Sequence, residues 1–247
     1  ASRQREAFIA VLLGFFIVML DATIVNVALA DIGTDLDAPV ASLQWVVDSY
    51  TLVFAAFLLT SGAACDRLGA RDVYLLGLLL LGVLSVVCAL APTGGTLVAA
   101  RAAQGAGASA VVPGSLALLA VIYTEPDARS RAIGLWGGAG GIAAAVGPVL
   151  GGVLVSWIGW RAVFWVNIPV IAVACRLTLR SLPAPAARHG RAIDPLGQLL
   201  SVLGLAALTY GMIAGGESGL SNSSAAAICC GAAVLAGGLN PLQQTLH

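Results

Sequence analysis

The sequence predicts an all-α, polytopic membrane helical bundle, and three observations carry that prediction. The 247 residues are 59% hydrophobic and only 10% charged, with a mean hydropathy of +0.96, whereas an ordinary soluble domain is about 25% charged. Apolar runs recur at the spacing of a membrane span of roughly 20 residues plus a loop of about 10, which gives about eight spans. Thirty glycines and abundant alanine supply the small residues that helices need to approach closely in lipid, where apolar burial no longer drives association. A soluble globular enzyme is excluded.

Runs bounded by charge or turn residues place the spans, in order, at residues 8–30, 45–64, 73–91, 96–123, 132–158, 162–179, 195–214 and 225–239, the last being short. The first run continues past any signal-peptide core, so no cleavable leader is expected. The connections at 31–44, 65–72, 92–95, 124–131, 159–161, 180–194 and 215–224 force antiparallel neighbours. With the N-terminus in the cytoplasm, Arg3, Arg5, Arg67, Arg71, Arg129, Arg131, Arg176, Arg180, Arg188 and Arg191 share one side and Arg161 stands opposite. That bias predicts a multi-pass protein of the cell membrane with a cytoplasmic N-terminus. Trp45, Trp157 and Trp160 fall at outer boundaries, as an aromatic belt would place them. The domain plan is a six-helix bundle over residues 1–182, a Pro-containing cytoplasmic linker over 183–194, one or two further spans over 195–239 and a polar tail over 240–247. Because the chain starts on Ala and stops soon after a weak run, it is expected to be truncated.

Twelve basic and twelve acidic residues cancel, so net charge points to neither nucleic acid nor an acidic partner. The five cysteines lie in or beside apolar runs without disulfide-framework or zinc-ligand spacing and read as small packing residues. No phosphate-binding glycine loop and no His-Glu-x-x-His or Gly-x-Ser-x-Gly pattern is present. Neither a cofactor, a resident metal nor enzymatic chemistry is expected.

What remains are polar residues at membrane depth. Asp21 lies near the middle of the first span, where a charge costs about 2.5–3.5 kcal/mol on insertion scales. It must face the bundle interior, and either a structural interhelical hydrogen bond or a functional acid satisfies that requirement. Gly14 and Ala28, seven residues to either side, put small residues on its face. Arg101, in the fourth span on one stripe with Gln104, Gly105, Ala108 and Ser115, must be paired or hydrated because a guanidinium stays charged. A fixed brace is one reading. The other is a counter-charge whose release lets a carboxylate take up a proton. Asp48 reads as an interfacial cap near Trp45. Asn26, Gln104 and Asn167 could contact substrate or bond between helices. Gly134, Gly138, Gly141, Ala145, Pro148 and Gly152 form a continuous small-residue groove on the fifth span, suited to close packing or to a proline-centred bend.

Taken together these positions resemble the major facilitator superfamily, and within it the fourteen-span drug:proton antiporters. Leu20-Asp21-Ala22-Thr23-Ile24-Val25-Asn26-Val27-Ala28-Leu29 is similar to that family's first-span signature. The segment containing Gly62, Asp66, Arg67, Gly69 and Arg71 resembles the cytoplasmic loop between spans two and three, with Ala70 in place of a usual basic residue. Arg101-Ala102-Ala103-Gln104-Gly105 looks like the fourth-span motif of proton-coupled members. Gly147-Pro148-Val149-Leu150-Gly151-Gly152 resembles the fifth-span antiporter motif, with Ala143 where a leading glycine is typical. Trp160-Arg161 and Asn167-Ile168-Pro169 continue the match.

The resemblance implies proton-coupled export of a small amphipathic or cationic drug or antibiotic by alternating access between two six-helix bundles. Asp21 and Arg101 would serve the proton, and the Asp66 segment would gate the inner side against a C-terminal half. This chain would hold the first bundle and need the missing half, or a second copy. A metabolite facilitator of the same fold and a non-transporting fragment are the alternatives.

Overall fold

The computed structural model describes residues 2–182, together with 204, 207 and 228–231. But for those few positions, the expected linker, further spans and polar tail lie outside the described residues.

Over residues 2–182 the helices are, in order, α1 (Ser2–Asp35), α2 (Val40–Leu68), α3 (Ala70–Ala89), α4 (Gly94–Ile122), α5 (Pro126–Trp157), α6 (Ala162–Trp165) and α7 (Asn167–Ser181). Among the described residues, six segments are long and apolar enough to cross a membrane, α6 and α7 jointly making the sixth. The all-α bundle is therefore as expected, and the element ends follow local chemistry. Thr93 and Thr96 form a reciprocal capping box at the start of α4. Pro126 opens α5, where its missing N–H would have been unpaired anyway, and Asp127 sits in the positive first turn.

Helices overrun the apolar spans because hydropathy marks only the lipid-buried stretch. The 34 residues of α1 extend for about 51 Å, against about 30 Å of hydrocarbon. The expected 65–72 loop shrinks to Gly69, whose φ of 94° turns the chain within one residue while its N–H bonds Cys65 O at 3.1 Å. Asp66 and Arg67 therefore belong to the last turn of α2, and Arg71 to the first turn of α3. The expected single sixth span is interrupted at Val166, because Pro169 has no N–H to give Trp165 O, its partner four residues back.

Helix α4 is central to one side of the bundle, with α2 and α3 packed against it, while α1 packs on α5, α7 and the other flank of α4. Two apolar clusters fill the interior. One joins Val11, Ile17, Leu20, Tyr74, Leu78, Leu81, Val111 and Leu119. The other joins Ile24, Ala28, Ile32, Val46, Leu97, Trp160 and Phe164. Asp21 falls between Leu20 of the first and Ile24 of the second. Outward-facing Leu76, Leu79, Leu80, Val83 and Val87 on α3 have the apolarity that lipid demands.

The α5 face that packs differs from the expected one. Gly134, Gly138, Gly141 and Gly152 have open space beside them, and Ala145 and Pro148 are exposed. The packed register is Gly140, Ala143, Gly147 and Gly151, lying against Phe15, Thr23 and Ile24 of α1. Both stripes step by three and four residues, so periodicity alone could not choose between them.

Candidate functional site

The centre of the bundle holds a polar cluster drawn from five helices. Asp21 comes from α1, Ser85 from α3, Arg101 and Gln104 from α4 and Asn167 from the first position of α7, each with no exposed surface. Helix α2 adds the carbonyl of Val46 and the ring of Tyr50. Antiparallel packing brings the middle of α1 level with the third turn of α4, so neighbouring positions three residues apart present both Arg101 and Gln104 to Asp21.

Arg101 donates from one guanidinium nitrogen to Asp21 Oδ2 at 2.6 Å and to Gln104 Oε1 at 2.8 Å, and from Nε to Val46 O at 3.2 Å. Its guanidinium carbon stands 4.1 Å from the Tyr50 ring centroid, a desolvated cation–π contact. Asp21 Oδ1 accepts from Asn167 Nδ2 at 2.6 Å and from Gln104 Nε2 at 3.2 Å. All three contacts donate to the carboxylate, the arrangement of an ionised acid paired with its counter-ion. Ser85 Oγ accepts from Gln104 Nε2 at 2.8 Å and Asn167 Nδ2 at 3.0 Å, and donates to Leu81 O at 2.8 Å. Cys88 Sγ lies 3.5 Å from Gln104 Oε1. Chemically, such a cluster can hold one carboxylate charged inside an apolar bundle, or release it for protonation if Arg101 withdraws.

Of the residues singled out in the sequence, Asp21, Arg101, Gln104 and Asn167 come together. Asn26 does not: it is exposed on α1 and donates to Thr23 O at 3.2 Å. Asp48 is no cap, since α2 starts at Val40 with Pro39 in the capping position. Gly14 lets Tyr74 come close, whose hydroxyl donates to Ala10 O at 2.7 Å. Gly105 does the same for the α2 backbone at Tyr50. Gly62 has open space around it, Asp66 is exposed and Arg71 Nε is buried without a hydrogen-bond partner. Trp160 is turned inward rather than set in a belt. Its indole N–H and Arg161 both donate to Asp35 Oδ2, at 3.0 and 2.6 Å, fastening the end of α1 to the turn before α6.

Sequence reasoning missed Ser85, Cys88 and Tyr50 in the cluster. A lone serine in an apolar span was the available signal, with Cys88 three residues on and so on its face. Among the described residues, no group of three or more His, Cys, Asp or Glu side chains is placed to hold a metal ion.

The family model described as Major Facilitator Superfamily matches residues 11–246. The chain is 41% identical over 206 residues to the methylenomycin A resistance protein of Streptomyces coelicolor, covering 83% of this chain and 43% of that protein. It is 42% identical over 216 residues to the multidrug resistance protein Stp of Mycobacterium tuberculosis, covering 87% and 40%. It is 40% identical over 222 residues to the puromycin resistance protein pur8 of Streptomyces alboniger, covering 88% and 43%. The chain thus spans less than half the length of these relatives. Among solved structures, the fold is similar to a peptide transporter POT, with a TM-score of 0.66 at 12% identity over 85% of this chain and 51% of that one. A bacterial homologue of the human lysosomal transporter Spinster gives a TM-score of 0.60 at 21% identity, covering 94% and 60%.

Proposed function

The chain belongs to the Major Facilitator Superfamily, and from that premise we propose that it forms the N-terminal bundle of a transporter that exports small amphipathic or cationic molecules, antibiotics among them, in exchange for protons. The names of the resistance-protein relatives support the substrate class. The observation that carries the coupling is the Asp21–Arg101 pair, wholly buried at the bundle centre with three donors on the carboxylate. Asp21 binds the proton, and Arg101 holds the carboxylate ionised until a rearrangement loosens the pair.

One charge crossing about 100 mV yields roughly 2.3 kcal/mol, close to a fifty-fold substrate gradient, so a single proton suffices for useful export. Alternating access needs a second bundle, from a further segment or another copy, against the faces of α2 and α5 that this bundle leaves least covered. The N-terminus lies in the cytoplasm, a placement supported by the arginine bias. Gly62, Asp66, Arg67, Gly69 and Arg71 then serve the inner gate, and Gly147, Pro148, Gly151 and Gly152 the moving contact along α5.

The test is uptake of a fluorescent cationic drug into inverted vesicles under an imposed pH gradient, by the protein with its second bundle in place. Asp21→Asn should abolish pH-driven uptake while preserving folding. Undiminished pH-driven uptake would remove Asp21 from the mechanism, and equilibration that ignores the gradient would mark a facilitator instead.

A further inference from the structure

We propose that Asn167 senses the protonation state of Asp21 by inverting its side-chain amide, donating to the ionised carboxylate and accepting from the protonated one. The inference rests on the reading that Asp21 takes up the transported proton.

The polar groups of the cluster are nearly all paired. Gln104 Oε1 accepts from Arg101 and faces the Cys88 thiol, while Ser85 Oγ and both Asp21 oxygens have partners. Within this cluster, among the described residues, Asn167 Oδ1 is the atom buried with no hydrogen-bond partner. The amide orientation follows from the network: with Asp21 ionised, the nitrogen must face it. The titratable and charged groups facing Asp21 are Arg101 from α4, Tyr50 from α2 and Cys88 from α3, while α7 contributes the neutral Asn167 and α5 presents Gly147 and Gly151 to α1.

When Asp21 takes a proton from hydronium, one O–H bond forms on the carboxyl as one O–H bond of hydronium breaks to leave water, and the carboxyl charge goes from −1 to 0. The new O–H requires an acceptor, yet the ionised site surrounds the carboxyl with donors. Half a turn of the Asn167 amide places Oδ1 where Nδ2 stood, 2.6 Å from Asp21 Oδ1 and 3.0 Å from Ser85 Oγ. The Ser85 hydroxyl can then swing from Leu81 O to donate to it, since a hydroxyl serves as either donor or acceptor. Gln104 cannot make the same exchange, because inversion would turn its N–H groups toward the Arg101 guanidinium that its oxygen now meets. Asn167 is also the first residue of α7, beside the Val166 interruption. The protonation event is thus read out where the sixth span is broken.

Infrared difference spectroscopy between alkaline and acid pH tests this on the chain in lipid vesicles, with asparagine carrying carbon-13 at the side-chain carbonyl. The expected spectrum contains a protonated-carboxyl C=O band that is lost in Asp21→Asn, and a labelled amide band that shifts with the same pH midpoint. Asn167→Leu should remove that amide band and move the carboxyl band to higher frequency as its O–H loses its acceptor. An Asp21 band accompanied by a static amide band overturns the inversion and leaves the proton site standing. Absence of any Asp21-dependent carboxyl band overturns both. If Asn167→Leu does not fold, the label in the unsubstituted chain decides: an amide band that follows the Asp21 midpoint supports the inversion, and one that does not refutes it.

Discussion

Replacing Arg101 by leucine isolates what the buried pair contributes. Asp21 would keep its contacts to Asn167 and Gln104 but lose its guanidinium partner, and the Tyr50 ring would lose its cation. Both partners have side chains at most 1% exposed, so water cannot screen the orphaned carboxylate. Breaking a buried pair in this way costs about 3–5 kcal/mol. The double variant Asp21→Asn/Arg101→Leu removes both charges and should be less destabilised than the sum of the single changes, by a coupling energy of about 1–3 kcal/mol. Denaturation in mixed micelles, followed by tryptophan fluorescence, measures all four corners of the cycle. A coupling energy within about 0.5 kcal/mol of zero would mean additive sites and would refute the claim that the two charges depend on each other.

Two packing predictions can be read in the same assay. Gly105→Ala pushes a Cβ into the α2 backbone at Tyr50, an overpacking that should cost about 1–3 kcal/mol and loosen the stacking on Arg101, visible as a raised loss on denaturation and altered near-ultraviolet dichroism. Gly147→Ala, aimed at Thr23 of α1, should destabilise the chain clearly, whereas Gly152→Ala, with open space beside it, should be neutral or slightly stabilising; equal effects at the two sites would contradict the observed register of α5.

The membrane bundle was legible because composition and run length state the solvent directly, and a charge amid Leu20 and Ile24 can only face inward. Asp21, Arg101, Gln104 and Asn167 were each visible as polar residues at apolar depth. That Asn26 would stay outside followed from the same constraint: five residues on, at about 100° each, it lies roughly 140° around the helix from the inward-facing Asp21. The packed face of α5 could not be read, since two interleaved stripes of small residues obey one period and only contact with Phe15, Thr23 and Ile24 selects the packed one. Tyr50 was obscured for another reason: it needs three-dimensional proximity to Arg101 to distinguish it from an ordinary aromatic of a helix.

The single-residue corner at Gly69 has a mechanical consequence. With its N–H held by Cys65 O and its own carbonyl accepting from Val73 at 3.2 Å, the joint between α2 and α3 has no spare chain. It behaves as a pin: the angle between the two helices can change, but neither can slide lengthwise past the other. Any piston-like displacement of α2 must therefore carry α3 with it along the surface of α4, against which both pack. Lengthening this corner by one or two flexible residues would free that degree of motion without touching a buried side chain.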